Sequence, residues 1–131
     1  MFHAAQIRIA RPTSNLKAIT RFYHEGLGME ILGTFQGHRG YDGVMLGMPD
    51  KSVHLEFTSQ EGQNQSDLPT PTKEHLLVLY FDQSDIYQNA VSGLLQMGCI
   101  PVAAENPYWT GKSETFEDPD GWRVVLFDGL F

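Results

Sequence analysis

The chain has 131 residues, 41% of them hydrophobic and 19% charged, with a formal net charge of −7. This composition describes one globular domain and excludes a disordered chain. The acidic balance argues against nucleic-acid and anionic-lipid partners, both of which need a basic face.

In chain order, the segment Ala5–Ala10 alternates Ile7 and Ile9 with Gln6, Arg8 and Ala10, which predicts a strand with one apolar face. The run Pro12-Thr13-Ser14-Asn15 is turn and helix-cap chemistry. Leu16, Ile19, Phe22 and Tyr23 recur at helical spacing, and Gly26 and Gly28 stop the helix. Strands are predicted at Met29–Phe35, at Tyr41–Met48 and at Val53–Thr58. In the last of these Val53, Leu55 and Phe57 share one face and His54, Glu56 and Thr58 the other. The polar stretch 59–73 reads as a linker.

The order then repeats. Glu74–Phe81 is a strand, and Ile86, Tyr87, Ala90, Val91, Leu94, Leu95 and Met97 form an amphipathic helix closed by Gly98. Short strands follow at Cys99–Ala103, Ser113–Glu117 and Trp122–Phe127, with Asp118-Pro119-Asp120-Gly121 as the last turn. The chain is therefore read as βαβββ, linker, βαβββ: one domain over 1–131, with module 1 at about 1–60, a linker at about 59–73 and module 2 at about 74–131. The expected class is α+β, the two modules forming a curled eight-stranded sheet with helices outside and a pocket on the inner face. One cysteine, Cys99, excludes an internal disulfide. No secretory leader or apolar span is read, so a cytoplasmic location is expected.

Phe22-Tyr23 with Leu27-Gly28-Met29, Leu55-Glu56-Phe57, His75-Leu76 and Phe116-Glu117-Asp118-Pro119-Asp120-Gly121-Trp122 together resemble the vicinal oxygen chelate superfamily. This superfamily includes glyoxalase I, bleomycin and fosfomycin resistance proteins and extradiol dioxygenases. The resemblance spans nearly the whole chain. It implies a small-molecule ligand, a homodimer and, in metal-using members, one divalent ion such as Zn, Ni, Mn or Fe. That ion is held by inward side chains of the first and fourth strand of each module. Transferred residue by residue, the ligand positions fall on Glu56, on His75, on Ala4 or (after a shift of two) Gln6, and on Val125, which cannot ligate. His3 or His54 are further donors nearby. The expected metal set is thus Glu56, His75 and Gln6, and it is incomplete.

Two functional readings follow. One is a binding protein of the glyoxalase/bleomycin-resistance type that holds a small organic ligand without catalysis. The alternative is a glyoxalase-like lyase or isomerase using Glu56 and His75 with a metal; a dioxygenase fits less well. A metal-free variant would use His54 and Glu56 as an acid/base pair. The plainer roles are that Glu56 pairs with Arg8 or Arg123, and that His75 only bonds Glu56. Tyr108 and Trp109 either cover a ligand, with Arg8 and Arg123 lining its site, or cover core.

Overall fold

The alternating apolar runs set the layers of the fold. A computed structural model describes residues 1–131. The chain divides into two compact units, Met1–Pro69 and Thr70–Phe131.

In the first unit, β1 (Ile7–Pro12) is followed by α1 (Leu16–Thr20), whose helix widens into a π-type turn over Arg21–Gly26. Asn15 caps α1 by accepting from the Ala18 N–H at 3.1 Å, satisfying a donor that helix geometry leaves orphaned. Three strands follow: β2 (Glu30–His38), β3 (Tyr41–Gly47) and β4 (Val53–Gln60). Their order is β1-β4-β3-β2, with β1 parallel to β4 and the other pairs antiparallel.

The helix covers one face of this sheet. Ile19, Phe22 and Tyr23 pack there with Val44, Leu46, Leu55 and Phe57, all at most 4% exposed. Burial of such side chains is worth roughly 1.5–3 kcal/mol each. The helix-free face carries Arg8, His54 and Glu56, together with Phe35 and Met45 from the neighbouring strands.

In the second unit, β5 (Leu76–Phe81) leads into α2 (Ser84–Gln96), then β6 (Ser113–Glu117) and β7 (Arg123–Asp128). The order is β5-β7-β6, with β5 parallel to β7. The apolar stripe of α2 (Tyr87, Ala90, Val91 and Leu94) covers the face bearing Phe116, Val124 and Leu126. Each unit therefore opens with a strand that lies parallel beside its last one.

The named strands number seven, against the eight read from sequence. The segment 99–103 pairs only through the isolated bridge of Val102 to Thr115. Pro101 has no N–H to give a ladder there. The first strand also begins two residues later than expected and runs to Pro12.

Candidate functional site

On the helix-free face of the first unit, three polar side chains form a chain of bonds. Arg8 Nε donates to His54 Nε2 at 2.9 Å, and Arg8 Nη1 donates to Glu56 Oε2 at 3.3 Å. A guanidinium has no acceptor. His54 Nε2 must therefore be unprotonated in this arrangement, and the proton sits on Nδ1, which donates to the Lys51 carbonyl at 3.0 Å. The turn between β3 and β4 sets up that carbonyl. Lys51 takes a left-handed conformation at φ 62°. Asp50 Oδ1 accepts from Ser52 N–H at 3.0 Å and from Ser52 Oγ–H at 2.8 Å. Those two bonds, the backbone one first, hold the Asp50 carboxyl below its ordinary pKa.

Register explains why Arg8 meets both partners: Arg8 stands beside His54 and Ala10 beside Glu56 across the parallel pair. His54 is 7% exposed, whereas the Arg8 side chain is 49% and the Glu56 side chain 19% exposed. No bond joins His54 to Glu56, and both ring nitrogens of His54 are committed. The structure thus does not assemble the His54–Glu56 acid/base pair; Arg8 stands between them.

Glycines shape the same face. A Cβ on Gly43 would meet the Phe35 ring at 2.3 Å, so the ring lies across that glycine. Gly47 stands opposite His54 in the antiparallel pair.

In the second unit a pocket of about 70 Å³ opens on the face away from α2. Arg123, Val125, Thr115, Leu76, Asn106 and Trp109 line it, with Lys73, Glu74 and Glu105 beside them. Arg123, only 5% exposed, donates from Nη1 to the Ala103 carbonyl at 3.0 Å and from Nε to Glu117 Oε2 at 3.3 Å. Neither bond uses Nη2. Asn106 Oδ1 caps the short 3₁₀ turn Pro107–Trp109 by accepting from Tyr108 N–H at 3.0 Å. The Ser113 hydroxyl donates to the Trp109 carbonyl and ties that turn to β6. Trp109 then stands edge-on to Phe127, with ring centroids 6.0 Å apart.

Other predicted residues lie elsewhere. Tyr108 is 69% exposed and touches Trp109 rather than the pocket wall. His75 is exposed; its Nδ1 accepts from Thr72 N–H at 3.1 Å, and its ring packs against Trp122 with centroids 5.9 Å apart. His75 therefore does not line the pocket, although Val125 does. Gln6 precedes β1, and its Nε2 donates to the Lys51 carbonyl at 3.3 Å.

The donors do not fit the divalent ion that the resemblance implies. Within either unit no group of three or more His, Cys, Asp or Glu side chains is placed to hold one. The Arg8 side chain already brings a cation to Glu56, and the Nε2 lone pair of His54 already receives the Arg8 proton. A first-row metal needs free lone pairs converging on one point.

Comparison with known proteins agrees with this architecture. Residues 7–58 match the model of the YycE-like N-terminal domain, and residues 74–128 match that of the YycE-like C-terminal domain. The uncharacterized protein YycE of Bacillus subtilis is 49% identical over 127 residues, 97% of this chain and 90% of that protein. A crystal structure of Bacillus subtilis YycE superposes with a TM-score of 0.90 at 48% identity, covering 99% of this chain and 93% of that one. More distant structures share the fold. Leishmania major glyoxalase I has a TM-score of 0.69 at 21% identity, over 96% of this chain and 87% of its own. TnmS3, an antibiotic-binding protein from Streptomyces, has 0.68 at 21% identity, over 99% of both chains. The chain belongs to the YycE-like family and carries the glyoxalase/bleomycin-resistance fold.

Proposed function

We propose that this protein binds a small organic ligand in the pocket of its second unit, without metal and without turnover. The observation that carries this reading is the buried Arg123 in that pocket, which Trp109 also lines. A guanidinium fixed by two protein bonds is pre-organised to donate from its remaining nitrogen. An indole lining the same pocket offers a flat apolar surface. Together they suit a planar ligand that carries a hydrogen-bond acceptor. The reading is supported by TnmS3, an antibiotic-binding protein that shares the fold. The metal-dependent lyase alternative draws no support from the donor set described above.

The test is a panel of aromatic acids, quinones and amides titrated into protein treated with a chelator. Trp109 fluorescence in a Trp122→Phe background reports occupancy, and chromatography reports the fate of the compound. Saturable quenching that Arg123→Gln weakens, with the compound recovered intact, is the expected result. Conversion of the compound would overturn the reading, as would tight binding indifferent to Arg123→Gln.

A further inference from the structure

We infer that Arg8 replaces a metal ion at Glu56: its guanidinium is the resident cation of the helix-free face of the first unit, and it meets the oxygen of a neutral carbonyl-bearing ligand there. The inference rests on the ligand-binding reading above but concerns different residues.

Three observations lead to it. First, the charge beside Glu56 is already supplied by the chain, with Arg8 Nη1 at 3.3 Å from Oε2. A metal at the same carboxylate would have to displace a covalently tethered cation whose charge is permanent. Second, the guanidinium is aimed rather than adrift. His54, 7% exposed, accepts from Nε at 2.9 Å and is itself held by the Lys51 carbonyl at 3.0 Å. Those bonds fix the plane of a side chain that is otherwise half exposed. Third, Nη2 of Arg8 and the second carboxylate oxygen of Glu56 take part in neither bond.

The class of ligand follows from that inventory. Arg8 and Glu56 cancel in charge, so the face carries no excess cation to attract a free anion. What remains is a donor beside an acceptor, which matches a carbonyl oxygen next to an N–H. Met45 stands directly across from Glu56, and the Phe35 ring lies over Gly43 one strand further on. Those two side chains are half-buried and would meet an apolar body attached to the amide. A carboxamide on a small aromatic or aliphatic frame meets both demands. His54 is a positioning residue in this arrangement, acting only through Arg8.

Nuclear magnetic resonance of the full, isotope-labelled chain tests both halves of the inference. In the metal half, Mn²⁺ is titrated into chelator-treated protein. The expected result is no localised broadening of the amides of residues 8–10 and 54–58 in the native protein, and broadening there in Arg8→Ala that Glu56→Gln removes. Broadening at Glu56 in the native chain would overturn the inference, and so would its absence from both proteins. Arg8→Lys, which keeps the charge, is expected to stay as unresponsive as the native chain; a response at Glu56 in it counts against the inference. The amide spectrum of each variant verifies that it is folded.

In the ligand half, benzamide is titrated with the chelator present. The Arg8 Nε–H resonance is expected to shift, and Arg8→Gln to weaken the binding by about tenfold, a loss of about 1.4 kcal/mol. A benzamide response that requires added metal, or that leaves Arg8 Nε–H unmoved, would refute this half. The metal titration needs no ligand, so silence of Trp109 toward every compound would defeat the ligand-binding reading while leaving the Arg8 inference to stand or fall on Mn²⁺.

Discussion

Gly47 sits so close to His54 that a Cβ on the glycine would lie 2.8 Å from the histidine Cβ and 2.7 Å from the Val53 carbonyl oxygen. The absence of a side chain at 47 is what lets β4 bring His54 against Arg8. Two of the three nearest atoms are backbone, the Val53 carbonyl oxygen and the His54 Cα, and leave little room to yield.

Gly47→Ala is therefore expected to destabilise the protein by about 2 kcal/mol, within the usual range for overpacking. Gly43→Ala is expected to cost less, about 1 kcal/mol. Its obstacle is the Phe35 ring at 2.3 Å, which is the movable end of a side chain. Urea unfolding of the two variants checks the order. Phe35→Leu combined with Gly43→Ala should recover most of the smaller loss, and equal losses for both glycines would contradict the packing argument.

The Arg8–Glu56 contact should couple weakly in stability. Arg8 is 49% exposed and Glu56 19%, so solvent screens the pair. A double-mutant cycle with Arg8→Ala and Glu56→Gln is expected to give about 0.5–1 kcal/mol. The single Arg8→Ala change also strips the proton donor from His54 Nε2. His54 ring resonances, followed in each variant, should move with Arg8→Ala and hardly at all with Glu56→Gln.

The last hairpin depends on Asp118, which is 4% exposed. Its Oδ1 accepts from Asp120 N–H at 2.9 Å and from Trp122 N–H at 3.0 Å, closing the turn into β7. Asp118→Ala leaves those donors without that acceptor and should cost about 2–3 kcal/mol. Asp118→Asn, which retains a carbonyl oxygen, should cost less. Because β7 supplies Arg123 and Val125 to the pocket, Trp109 fluorescence is a second measure of the damage.

Alkaline sensitivity should trace to Tyr87 on α2. Burial raises its phenol above the ordinary 10.0, and the charges of Glu114 and Asp128 raise it further. A raised folded-state value means that Tyr87 supports folding fully below pH 10.0, and that this support is lost as pH climbs through the folded value. Thermal melts between pH 9 and 12 should fall more steeply for the native protein than for Tyr87→Phe, on the order of the usual linkage slope. Equal slopes would remove Tyr87 as the cause.

Local pattern was enough to locate both helices and most strands. Leu16, Ile19, Phe22 and Tyr23 at helical spacing, and Leu55 and Phe57 alternating with His54 and Glu56, each declare a buried side, because period alone decides which side chains share a face. The same alternation placed Arg8 on the helix-free face of the first unit. The Asp-Pro-Asp-Gly run marked the last hairpin for an equally local reason: its bonds lie within five residues.

Tertiary structure decided the rest. The β1–β4 register is a contact across 46 positions of chain, and it puts Arg8, not Gln6 or Ala4, beside His54 and Glu56. No local pattern fixes a parallel register, since the connection between the strands is long. His75 kept its place in the sequence motif, yet its ring lies on Trp122, because side-chain direction depends on where β5 begins to pair with β7. The segment 99–103 looked apolar enough for a strand, but Pro101 left it a single bridge. The helix-free faces were legible from period alone; the atoms that meet on them were settled by which strands pair, and in which register.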